Sequence, residues 1–221
     1  MKRSVWRILI WSAACCAVMA WVDGVLHPGY ALKSGIKAGL FLLVPLLLSL
    51  KDQDVAYLQL LKPKKKGIGI ALLLGLGIYG VILGAYFLIG PYFDFSAIAG
   101  SLTKNAGVTA DNFLYVSLYI SFVNSFLEEF FFRGFVFTNL ARLHKRSLAY
   151  GFSGVLFAAY HVAMMVGWFS PVLFVLVMAG LTIGGMLFNL LNEKLDTIYA
   201  SWLSHMFANF AINTIGFLLL N

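Results

Sequence analysis

Apolar runs long enough to cross a lipid bilayer recur along the whole chain and leave little room for any other kind of fold. A membrane-spanning helix needs roughly 20 predominantly apolar residues. Hydropathy places seven such spans near residues 6–25, 34–50, 67–90, 113–141, 148–167, 171–191 and 197–220. Lipid offers no water to backbone N–H and C=O groups, so a span of this length is read as a helix that satisfies its own hydrogen bonds. The expected fold is all-α: a polytopic transmembrane helix bundle of about seven spans. Charged residues make up only 11% of the chain, against about a quarter in a soluble domain.

The formal charge of +7 reads as topology. Lys2, Arg3 and Arg7 precede the first span, Lys51, Lys62, Lys64, Lys65 and Lys66 join the second to the third, and Arg142, Lys145 and Arg146 join the fourth to the fifth. The alternate connections are poorer in basic charge, so the N-terminus is expected in the cytoplasm and the C-terminus outside. These residues sit at span ends rather than on one continuous face, which argues against a nucleic-acid partner. Lys64–Lys66 reads as a topology anchor, with anionic lipid as its other use. The start, MKRSVWRILIWSAACCAVMAWV, resembles a signal peptide, but its apolar run continues through Trp21 and Val22, as an uncleaved first span would. Cys15 and Cys16 are adjacent and give no disulfide framework. Pro45 is expected to break the second span. Gly35 with Gly39, Gly80 with Gly84 and Gly180 with Gly184 are spaced for close helix contact. No internal repeat of the kind that builds many transporters is evident.

One segment resists this apolar reading. SFLEEFFFRGF, residues 125–135, sets Glu128, Glu129 and Arg133 among phenylalanines. Each charge at a helix centre costs about 2.5–3.5 kcal/mol to insert, so three acting independently cost roughly 8–10 kcal/mol. Such residues face a protein interior or a water cavity and are functional candidates by default. Glu129 and Arg133 are four apart, the spacing of an ion pair. Glu128 points about 100° from Glu129, which leaves it free to take up and release protons while Glu129 is paired.

Two further spans carry polar residues: FAAYH, ending at His161, and SHMFAN, with His205 and Asn209 four apart. At about 1.5 Å per residue, Glu128 lies roughly 21 Å from Arg142, His161 roughly 22 Å from Arg146, and Asn209 roughly 19 Å from Asp196. That places Glu128, His161 and Asn209 in one layer. His205, at roughly 13 Å, falls about a turn and a half nearer the cytoplasm. His27 and His144 sit in connections and read as surface residues, and Trp168 and Trp202 as interfacial anchors.

EEFFFR, FAAYH and HMFAN, in this order on separate spans, closely resemble the EExxxR, FxxxH and HxxxN motifs of the CPBP family. These are intramembrane proteases related to the Rce-type CAAX prenyl endopeptidases, with bacteriocin-processing and self-immunity members. The likeness covers about residues 113–215. It implies an Abi-type helical fold, with residues 113–221 as the catalytic core and 1–112 as variable N-terminal helices of the same membrane domain. It implies peptide-bond hydrolysis in which Glu128 activates water and His161 helps to hold it. His205 and Asn209 would bind water or the oxyanion, Glu129 and Arg133 would support the site, and Phe157 would pack beside His161. Glu129 is often grouped with the catalytic residues.

Hydrolysis needs a base for water and donors for the developing oxyanion. Glu128, His161 and His205 are also the ligand types of an open zinc site, so a divalent metal stays open beside the favoured metal-free glutamate mechanism. The implied partners are the bilayer and a peptide or protein substrate at the membrane, possibly prenylated. The compact chain resembles prokaryotic members, which implies a plasma-membrane location. The alternative is non-enzymatic: a bacteriocin immunity protein or a proton-coupled transporter using the same buried groups.

Overall fold

The computed structural model describes residues 2–58, 61–62, 64, 67–98, 100 and 108–220; Lys65 and Lys66 of the basic cluster lie outside these. Seven long helices organise the described residues: α1 (Arg3–Leu26), α2 (Tyr30–Lys51), α3 (Ile68–Tyr92), α4 (113–143), α5 (Arg146–Met165), α6 (Pro171–Leu195) and α7 (Ile198–Leu220). No strand occurs among the described residues. All but α4 are long and apolar enough to cross a membrane. The chain is an integral, all-α membrane bundle.

The charged helix α4 runs through the middle of this bundle. Every residue from 127 to 137 is buried, and the segment Glu129–Phe137 touches α1, α2, α5, α6 and α7. Its charges therefore face protein rather than lipid, as the insertion cost demands. Helix association in lipid depends on close packing rather than on expulsion of water. Here the packing is aromatic: Phe131 stacks on Phe41 of α2 at 4.1 Å, and Phe132 meets Phe157 of α5 edge-on at 5.3 Å. Such pairs contribute about 0.5–1.5 kcal/mol each beyond their buried area. Cys15 and Cys16 are unbridged, buried packing residues of α1.

Several helices widen locally at a turn. π turns occupy Val22–Leu26, Gly39–Leu43, Ile120–Asn124 and Glu129–Phe137. A π turn accommodates one extra residue and loosens the regular ladder, so backbone carbonyls become available to other partners. The turn at Gly39–Leu43 just precedes Pro45 and contains Phe41, the residue whose carbonyl the proline ring would crowd in a regular helix. The expected break at Pro45 is therefore corrected: α2 continues through it to Lys51. In the turn at Ile120–Asn124, the carbonyl of Ile120 accepts from Asn209 Nδ2 at 3.2 Å and that of Phe122 from Trp202 Nε1 at 3.1 Å. Trp202 also donates to Ser125 Oγ at 3.1 Å, so it ties α7 to α4 in addition to any interfacial role.

The expected glycine contacts are also corrected. A Cβ at Gly35, Gly39, Gly80, Gly84, Gly180 or Gly184 would meet open space. The close approaches are elsewhere: a Cβ at Gly75 would lie 2.5 Å from the Phe207 ring, and one at Gly185 would lie 3.2 Å from Gly154 Cα. Spacing alone marks a permissive face, and tertiary packing decides which face is used.

The connection after α2 is clamped onto α4. Asn139 accepts from the Ala56 backbone N–H at 2.7 Å and donates to the Ala56 carbonyl at 2.8 Å. Arg7 pairs with Asp52 at 2.9 Å beside it. Asn139→Ala removes both bonds and is expected to lower stability by about 1–3 kcal/mol. Thermal unfolding in detergent reads this, and an unchanged midpoint would show that the clamp carries no stability.

Candidate active site

Five ionisable side chains meet where α2, α4 and α7 converge. Glu128 is 2% exposed, Glu129 and Arg133 are 0%, Lys37 is 2% and His205 is 6%. Lys37 projects from α2 and donates through Nζ to Glu128 Oε1 at 2.6 Å and to Asn124 Oδ1. Asn124 Nδ2 donates to the same Glu128 oxygen at 3.0 Å. Arg133 Nη1 lies 3.3 Å from Glu129 Oε1, the pair its i, i+4 spacing predicts. Two carboxylates thus meet two fixed cations. Burial of such charges is tolerated only when they are paired.

Glu128 was expected to be free, and here the structure differs. It is held on one oxygen by Lys37 and Asn124. An unpartnered carboxylate at this depth would carry the full desolvation cost, and the lysine offsets it.

His205 joins the two carboxylates. Its Nδ1 is 2.9 Å from Glu129 Oε1, and its Nε2 is 3.7 Å from Glu128 Oε2. A Phe188 ring stacks on the imidazole at 5.2 Å. Phe157 contacts much of the site: its ring lies 4.1 Å from the Arg133 guanidinium, 4.8 Å from His161 and 5.8 Å from His205. A Cβ at Gly185 would come within 3.3 Å of both Arg133 Nη2 and Phe157 Cδ1. Gly185 lets α6 approach so closely that Arg133 is enclosed.

His161 Nδ1 is 2.7 Å from the Phe157 carbonyl. A carbonyl only accepts, so Nδ1 carries the proton and the neutral ring keeps its lone pair on Nε2. Asn209 is bonded to the Ile120 carbonyl. The depth reading is therefore revised: His205 reaches the carboxylates, whereas Asn209 is tied at a carbonyl eight residues earlier in α4.

Lys37, Asn124, Phe188 and Gly185 went unnoticed in the sequence. A signal existed for two of them. Lys37 is an ionisable residue inside an apolar run, the same anomaly that marks Glu128. Asn124 precedes Glu128 by four residues, on the same helical face.

The donor set does not fit a divalent metal in this arrangement. No three His, Cys, Asp or Glu side chains among the described residues converge as a ligand group. The Lys37 ammonium stands on Glu128 where a cation would, and His205 turns Nδ1 to Glu129.

A protein-family model described as Type II CAAX prenyl endopeptidase Rce1-like matches residues 110–211. This segment is Rce1-like. It contains Glu128, Glu129, Arg133, Phe157, His161, His205 and Asn209, and the match supports a membrane protease as the general class of activity. Lys37 falls outside the Rce1-like segment. No curated protein and no solved structure matches the chain.

Proposed function

We propose that the chain is an intramembrane endopeptidase in which Glu128 activates water for attack on a peptide carbonyl. The observation that carries this is the asymmetric hold on Glu128, inside the Rce1-like segment. Oε1 takes both donors, and Oε2 faces His205 Nε2 at a distance too long for a direct hydrogen bond. A water beside Oε2 gives its proton to Glu128 as its oxygen bonds to the carbonyl carbon. His161 accepts the water's other hydrogen through Nε2 and orients it. With both ring nitrogens protonated, His205 gives Nδ1–H to Glu129 and Nε2–H to the developing oxyanion. Asn209 keeps one amide hydrogen beyond its bond to Ile120 and supports the far side of the site. When the C–N bond breaks, the proton on Glu128 passes to the leaving amine, and a carboxylic acid and an amine result.

Arg133 neutralises Glu129, and Phe157 packs Arg133, His161 and His205 into register. The reading needs no metal, so Lys37 and Arg133 supply the fixed positive charge. The substrate is a peptide or protein segment at the bilayer, with a prenylated CAAX peptide the first to try. Residues 113–221 form the catalytic core, and residues 1–112 complete the same membrane domain. We place the chain in a prokaryotic plasma membrane with its N-terminus in the cytoplasm.

The test is cleavage of a quenched farnesylated CAAX peptide, and of an unprenylated peptide library, by purified protein before and after exhaustive chelation. Cleavage that survives chelation is expected. Loss on chelation, with recovery on adding zinc, would overturn the metal-free mechanism. No cleavage of any peptide would favour an immunity or transport role for the same groups.

A further inference from the structure

Lys37 does more than balance charge. It reaches Glu128 from α2, outside the segment that matches the family, and its side chain is 3% exposed. Its Nζ also lies 4.9 Å from the Tyr160 ring centroid and 5.5 Å from that of Phe41, so aromatic faces restrict where the ammonium can go. One turn earlier on α2, Lys33 pairs with Asp23 of α1 at 2.5 Å. That contact engages the nearest other acid of the N-terminal helices and leaves Lys37 to Glu128. The result is directional: Lys37 and Asn124 both hold Oε1, and neither holds Oε2.

We propose that Lys37 is a positioning residue for the hydrolysis, fixing the rotation of the Glu128 carboxylate so that Oε2 is the oxygen presented to water. This rests on the protease reading above. It gives the N-terminal helices a specific part in the reaction, since the residue that aims the base comes from α2. Lys37 Nζ is engaged by Glu128 and Asn124 and enclosed by the Tyr160 and Phe41 rings, so its loss is expected to slow the chemical step and leave binding largely intact.

The variants are Lys37→Met, Lys37→Arg, Glu128→Gln and the double variant Lys37→Met with Glu128→Gln, all as full chains in detergent. With the cleaved peptide as probe, Lys37→Met is expected to lower kcat by about 10²-fold, the scale of a misplaced catalytic group, with KM little changed. Lys37→Arg keeps the charge and donors and is expected to recover part of that loss. Wild-type kcat in Lys37→Met, or a loss confined to KM, would overturn the proposal while the protease reading stood. A wild type that cleaves nothing would instead overturn the protease reading and this role with it.

Thermal midpoints read the pairing without activity. Lys37→Met is expected to lower the midpoint in the wild-type background and to lower it much less beside Glu128→Gln. If the single variant fails to fold and the double variant folds, the pairing is supported. Equal losses in both backgrounds, or failure of both variants to fold, would show that Lys37 acts through something other than Glu128 and would overturn the proposal.

Discussion

Glu128→Gln is expected to lose peptide cleavage by about 10²–10⁴-fold, the usual contribution of a general base, and to lose some stability, because the buried Lys37 is left without its charged partner. The amide matches the carboxylate in shape, and its oxygen still accepts from Lys37 and Asn124 at the site where Oε1 now does. It cannot take a proton from water. The loss falls on kcat, because Glu128 acts on water in the transition state rather than on bound substrate. Glu129→Gln differs in kind. Both variants leave a buried cation without its charged partner, but Glu129 touches His205 as well as Arg133, so its loss also loosens the imidazole. A Glu129→Gln variant more impaired in stability than Glu128→Gln fits the account. Equal activity in Glu128→Gln and wild type would remove the base from the scheme.

The largest effect on stability is expected from Arg133→Met. Both side chains of the Glu129–Arg133 pair are fully buried. Breaking such a pair by removing one partner costs about 3–5 kcal/mol, since the remaining charge stays buried and uncompensated. Methionine fills much of the volume among Phe132, Phe157 and Phe188, whose rings surround the guanidinium, so the cost is chiefly electrostatic. Adding Glu129→Gln to Arg133→Met removes that charge and is expected to restore a substantial part of the stability. Thermal unfolding of the two single variants and the double variant in one detergent measures the coupling. Additive losses would mean that the pair contributes nothing as a pair.

Much of the architecture was readable because it follows from bilayer thickness. The helix positions come from apolar length, and the Glu129–Arg133 contact comes from helical spacing. What escaped was whatever depends on how helices meet. Lys37 lies in a run read as apolar, and lysines near span ends were credited to topology. Only the packing of α2 on α4 reveals that its ammonium reaches Glu128. A uniform rise per residue does not hold along α4, which widens at Ile120–Asn124 and again at Glu129–Phe137. His205, placed too near the cytoplasm by a uniform rise, in fact touches both carboxylates. The glycine pairs show the same limit: Gly80 and Gly84 have the spacing for close contact but face open space, while Gly185 with Gly154 brings α6 onto α5.

The most direct measurement is a single-turnover cleavage in ¹⁸O-labelled water, with wild type beside Glu128→Gln and with mass analysis of both the product and the protein. General-base catalysis by Glu128 predicts one ¹⁸O in the new product carboxylate of the wild-type reaction, none in the Glu128 side chain, and almost no product from the variant. Unlabelled product with ¹⁸O in Glu128 would make the glutamate a nucleophile, and labelled product at equal yield from both proteins would contradict its role altogether.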